Sequence, residues 1–220
     1  MLKQFPIMTQ SLATHGWAIA TEPTASLEAL QELVVGIACH LGTPRPSRPG
    51  SGLVDHLRPV SELAAKPRSL SALYGTGTFP WHTDGAHWVI PPHYLVLACV
   101  EAPPNSAATV IRDARLSAAL NSETASRALF KVQNGPHSFY TTPVSSLRNF
   151  YRYDYGCMSP MNETARCLRD AIEGEQVEAS EVISWEPGLI AVIDNWRYLH
   201  KRTDAGRNTG RHLLRVTVME

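Results

Sequence analysis

Apolar and polar positions divide this chain into a helical opening and a strand-rich remainder. Gly16 to Ala20 (GWAIA) reads as a short strand. Ser26 offers a helix N-cap, and in the following LEALQELVVGIACHLG apolar residues recur at three- and four-residue spacing until Gly42 supplies a stop. Thr43 to Gly52 carries three prolines and two glycines and is expected to be loop. From about Leu73 short β-rich runs follow: HYLVLACV (His93 to Val100), ATVI, KVQN, EVISW, GLIAVI and HLLRVTV. Most are bounded by Pro, Gly, Asn or Asp, as strand ends are. Two helical patches interrupt them, a broken one from Asp113 to Leu129 and a second from Asn162, its N-cap, to Glu173. Many short strands with few helices predict a mixed α+β, β-cored single domain over 1–220, a sandwich or barrel with helices outside. No internal repeat is visible.

Composition narrows the function classes. The 220 residues are 44% hydrophobic and 18% charged, a balance that builds a substantial core. Lys plus Arg and Asp plus Glu each number 20, so the formal charge is zero and neither nucleic acid nor an anionic membrane is an expected partner. The four cysteines, Cys39, Cys99, Cys157 and Cys167, form no CxxC pair and read as free thiols in a reducing cytoplasm. The opening residues lack the apolar core and cleavage site of a secretory signal, and no window approaches the ~18 apolar residues of a membrane span. Oligomeric state is left open.

The chemistry-bearing stretch is FPWHTDGAH, Phe79 to His87. His82 and Asp84 lie two apart, so in an extended strand both side chains share a face. Downstream, after GLIAVIDNW, comes His200. Two histidines and a carboxylate on one side of a metal leave three positions open, the facial arrangement of non-haem Fe(II) oxygenases. HxD alone recurs by chance; the far end of the chain adds Arg211 and Arg215, four apart beside an alternating strand. Arginine offers a planar, bidentate partner for the distal carboxylate of a dicarboxylic oxoacid. Taken without the three metal donors, the same pair reads as solvated edge charges.

Four passages, in order, resemble the TauD/TfdA branch of Fe(II)- and 2-oxoglutarate-dependent dioxygenases: WHTDGAHW, PPHYLVLACVEAPPNSAATVIRDA, RYDYGCMSP and GLIAVIDNWRYLHKRTDAGRNTGRHLLRVTV. The N-terminal helix ending in HLGTP fits as well. The resemblance implies a double-stranded β-helix, a cupin-like jelly roll, with His82, Asp84 and His200 as iron ligands. It also implies that Thr109 and Arg211 hold 2-oxoglutarate, that Arg215 reaches the primary substrate, and that O2 is the oxidant. Ala107 and Ala108 stand where the family often has a glycine pair, which weakens the inference for Thr109. The chain is short for the family, so a trimmed lid is expected, and retention of Asp84 favours hydroxylation over halogenation.

Substrate contacts are expected from His87 and Trp88 at the pocket mouth, with core packing the competing reading for Trp88. Tyr74 precedes a Gly75–Gly77 turn suited to a lid hinge. Arg152 and Asp154 either form a structural ion pair or recognise an amino-acid-like small molecule, and Arg215 would favour an anionic group. Two alternatives remain: a Zn(II) hydrolase on the same three donors, and a cupin-like binding protein without turnover.

Overall fold

Long apolar runs need cover on both faces, and here they become the middle of one antiparallel sheet. The computed structural model describes residues 5–22, 26–145, 149–175 and 180–220. Its helices are α1 (Phe5–His15), α2 (Leu27–Leu41), α3 (Leu70–Tyr74) and α4 (Glu163–Gly174). The strands open with β1 (Trp17–Thr21), β2 (Thr43–Arg45), β3 (Asp55–Leu57), β4 (Tyr94–Glu101), β5 (Thr109–Asp113), β6 (Phe130–Asn134) and β7 (His137–Thr141). They continue with β8 (Val144–Ser145), β9 (Phe150–Tyr151), β10 (Met158–Pro160), β11 (Ser180–Ile183), β12 (Leu189–Asp194), β13 (Tyr198–Arg202) and β14 (His212–Met219).

The large sheet runs β1-β12-β4-β14-β2, with β3 also paired to β14, and a smaller sheet runs β11-β5-β13. Their pairings are antiparallel. On one face of the large sheet Val96, Ala98, Val192 and Val216 pack with Met8 of α1 and Leu30 and Val34 of α2. On the other, Leu97, Cys99, Ile193 and Leu213 pack with Ile111, Ile183 and Trp185 of the small sheet and its flank. β4 and β12 are therefore covered on both sides, which is why they read as continuous apolar runs and not as alternation. A third cluster, including Phe130, Val132, Leu168 and Ile172, joins the β10-β6-β7 sheet to α4.

Local signals explain most boundaries. The Ser26 hydroxyl accepts from Ala29 N at the start of α2, and Asn162 accepts from Ala165 N at the start of α4. Gly42 ends α2 where a Cβ would lie 2.3 Å from the Met219 carbonyl oxygen, so the close approach of helix end and β14 requires glycine.

Two expectations change and one helix is added. Asp113 to Leu129 contains no α-helix, only 3-10 turns at Ala114–Leu116 and Glu123–Arg127. Its polar groups are instead tied locally, as where Asn121 Nδ2 donates to the carbonyls of Ala114 and Ser117. The Thr43–Gly52 loop begins with a paired segment, β2, on the sheet edge, where Pro44 is tolerated. Helix α1 was hidden because only Phe5, Met8 and Leu12 of its residues are buried, a narrow stripe among polar neighbours.

Gly42→Ala is expected to lower stability by roughly 1–3 kcal/mol, the usual cost of overpacking against fixed backbone. Urea denaturation checks it; an unchanged midpoint would mean that α2 and β14 separate freely.

Candidate active site

The site is assembled by backbone pairing. His82 N donates to His200 O at 3.0 Å and His200 N to His82 O at 2.9 Å, so a bridge residue and strand β13 present their imidazoles together. The ring centroids are 4.3 Å apart. Asp84 does not lie on a strand with His82, as expected from the spacing; the chain turns at residues 84–87. It still meets both rings: Asp84 Oδ1 lies 3.8 Å from His82 Nε2 and 3.7 Å from His200 Nε2. These separations fall within twice a metal–ligand bond of roughly 2.0–2.2 Å. Among the described residues, His82, Asp84 and His200 are the one set of three such donors gathered within 4.8 Å.

Protonation suits cation binding. Burial, then the neighbouring His200, pushes His82 down to about 3, so its imidazole is neutral. The contact between His82 Nδ1 and Pro80 O, at 3.0 Å, directs Nε2 into the site. Burial acts to raise Asp84, but Arg215 and then His200 outweigh it and hold the carboxyl well below the usual carboxylate range.

The turn after the ligand motif is clamped from outside. The buried Asn195 accepts from Asp84 N and donates to the carbonyls of Asp84 and Pro92. Gly85 has φ +66°, and a Cβ there would lie 2.5 Å from Pro92 Cδ. Arg152 donates to the carbonyls of Ala86, Trp88 and Val89 at 2.5, 2.5 and 2.6 Å. This guanidinium serves neither an ion pair with Asp154 nor an open pocket; it fixes the loop. Asp154 pairs by backbone with His82, and burial raises its carboxyl to about 6 even though it accepts from Gly156 N at 2.7 Å.

Behind the metal face lie three residues of the small sheet and its neighbours. Thr109 Oγ1 is buried and accepts from Trp185 Nε1 at 3.0 Å. Arg211 donates to Ala107 O. Arg202, which no sequence reading singled out, sits opposite Thr109 in the β13–β5 register and donates to the carbonyls of Gly75 and Gly77. Burial lowers both arginines to about 10, and in Arg211 the nearby Arg202 adds to it. Both leave Nε buried without a partner. Two mutually repelling, dehydrated guanidiniums suit an anion.

The remaining candidates separate. His87 and Trp88 stack edge-on at 5.9 Å, and Trp88 carries the Arg45 guanidinium 4.7 Å above its ring. Burial, with Arg48 among the neighbouring cations, lowers His87. Arg215 has its guanidinium between Asp84 and Asp55. Tyr74 lines a cavity of about 340 Å³ with Phe79, Trp81, Glu173 and Lys201, and none of the three metal donors borders it. Asp55, Asn195 and Arg202 are the site residues that sequence reasoning missed; Asn195 and Arg202 lie inside the quoted closing passage, whereas nothing marked Asp55.

Arg152→Met is expected to cost about 1–3 kcal/mol for each buried carbonyl left without a donor. Thermal unfolding should show the loss with no substrate present. An unchanged transition would return Arg152 to the role of a ligand-binding residue.

Known proteins match this chain at the level of family and fold. No curated protein sequence matches the chain. An asparagine oxygenase bound to Fe(II), 3-hydroxyasparagine and succinate superposes with TM-score 0.75 at 20% identity, over 99% of this chain and 78% of that one. The non-haem iron oxygenase OrfP, bound to Fe and alpha-ketoglutaric acid, gives 0.72 at 21% over 98% and 79%. PvcB of Pseudomonas aeruginosa, an Fe, alpha-ketoglutarate dependent oxygenase, gives 0.69 at 18% over 97% and 79%. The model of the taurine catabolism dioxygenase TauD, TfdA family matches residues 3–153 and 161–217, and the chain therefore belongs to that family of 2-oxoglutarate-dependent oxygenases.

Proposed function

We propose that this iron- and 2-oxoglutarate-dependent oxygenase works as a single domain and hydroxylates a small amino-acid-like molecule, releasing succinate and CO2. The carrying observation is the juxtaposition of a three-donor metal face with Arg211 and Arg202. The side-chain hydrogen bonds of these two buried arginines go to backbone carbonyls only. A dicarboxylic oxoacid fits that arrangement. His82, Asp84 and His200 would hold the metal that one end chelates, and Arg211, with Thr109 beside it, would meet the other end. Bound iron and 2-oxoglutarate supply the oxidising chemistry, in which one oxygen atom of O2 enters succinate and the other the substrate. The protein's own contribution is geometric: a neutral His82 imidazole, an ionised Asp84, and a clamped turn that keeps all three donors on one side.

The stacked antiparallel sheets support reading the fold as a double-stranded β-helix. Two observations favour an amino-acid-like substrate. Solved neighbours of similar fold hold hydroxylated asparagine and hydroxylated arginine. Asp154, beside the His82 bridge, offers a carboxyl suited to a substrate ammonium group. His87 and Trp88 border the approach from the loop side. A zinc hydrolase on the same donors would leave Arg202, Arg211 and Thr109 without a role.

Succinate release from Fe(II), 2-oxoglutarate and O2, assayed across the L-amino acids, tests this. One or more should raise the rate and yield a product one oxygen atom heavier. Arg211→Met should raise the KM for 2-oxoglutarate roughly 10–100-fold, as loss of a charge-assisted hydrogen bond does. No stimulation by any amino acid would exclude the substrate class; no succinate under any condition would exclude the activity.

A further inference from the structure

Asp84 is a metal donor with an arginine against it, an arrangement that ought to weaken its hold on a cation. Arg215 Nη1 donates to Asp84 Oδ2 at 2.7 Å. A bare guanidinium there would compete for the carboxylate and repel a divalent ion. The far side of the same guanidinium is not bare. Its Nη2 and Nε donate to Asp55 Oδ2 at 2.8 and 3.3 Å, and Ser47 Oγ donates to Asp55 Oδ1 at 2.8 Å. Asp55 and Arg215 are directly opposite each other in the β3–β14 ladder, so backbone pairing sets the contact. The three charged side chains are only 12–19% exposed, which leaves little water to screen them.

We infer that Asp55 is a positioning residue for the metal site: it is the counter-charge that lets Arg215 hold Asp84 without cancelling its charge. With Asp55 in place, the Asp55–Arg215 pair is neutral. Arg215 then takes up Oδ2 and leaves Oδ1 toward His82 and His200, without adding a net cation beside the metal. Asp84 is thereby kept to one ligating oxygen, which preserves positions for a chelating oxoacid and O2. Ser47 fixes the other oxygen of Asp55. Arg215 so neutralised has no charge to spare for a substrate anion. The inference rests on the oxygenase reading, because it presumes a divalent metal at these donors.

The test is an anaerobic titration of the metal-free full chain with Co(II), followed by visible absorption, beside thermal unfolding of the same samples. Asp55→Asn should weaken Co(II) binding roughly 10–100-fold, the usual effect of removing a partner of a metal ligand. Asp55→Glu should recover part of it. Ser47→Ala, which leaves every charge in place, should cost about two- to tenfold, one hydrogen bond's worth, and serves if Asp55→Asn does not fold. A residue that merely joined β3 to β14 would lower the unfolding temperature without moving the Co(II) affinity. Unchanged affinity in folded Asp55→Asn, or in Ser47→Ala where Asp55→Asn fails to fold, would overturn the inference. Failure of the wild-type protein to bind Co(II) would instead remove the oxygenase reading beneath it.

Discussion

Two reciprocal backbone hydrogen bonds between His82 and His200 are the constraint on which the site depends. They join a short bridge after Pro80 to strand β13 and bring together two imidazoles far apart in sequence. Every other feature serves to aim or neutralise what that pairing presents. Asp84 follows on a turn that would wander if it were free. Asn195 and Arg152 hold the turn by its backbone, so the carboxylate's position is decided by groups that never touch a ligand.

The buried arginines explain how one small chain keeps so much charge inside. Arg152 reaches three carbonyls, Arg202 two and Arg211 one. Arg112 is tied to carbonyls at the end of α4 and to Glu175, and stacks over Trp81 at 4.4 Å. The charges with the fewest internal partners are those beside Thr109. Dehydrated cations of that kind cost stability unless an anion completes them. Such a cost is characteristic of a site that takes an anion and not of a bare scaffold. Arg215 is the contrasting case, a guanidinium whose charge is already balanced because it is held between two carboxylates.

Much of this was legible in the sequence. His82, Asp84 and His200 are marked by residue type as metal donors and Arg211 as a partner for an oxoacid. The shared strand face expected of His82 and Asp84 is replaced by a turn, however, and Arg215 is taken up by Asp84 and Asp55. The capped helices α2 and α4 follow from Ser26 and Asn162. What stayed hidden depends on long-range pairing. Arg202 reads as one more charge in HKRTD until β13 aligns it with Thr109, and Asp55 reads as an isolated acid in a loop until β3 sets it across from Arg215. Arg152 reads as half of an ion pair with Asp154 or as a ligand contact because nothing local reveals that three carbonyls of a distant loop await it. No described helix is long and apolar enough to cross a membrane, in keeping with the hydropathy pattern.

Oxygenase chemistry in this chain requires that His82, Asp84 and His200 hold a metal that a 2-oxo acid then chelates. The most direct measurement is anaerobic addition of Fe(II) and 2-oxoglutarate to the metal-free protein, watching for the weak visible charge-transfer band of the chelate. The band should form in the wild-type protein, disappear in His82→Ala and His200→Ala, and shift when the correct amino acid is added. Tight Zn(II) binding at the same residues with no band from Fe(II) and 2-oxoglutarate would contradict the account.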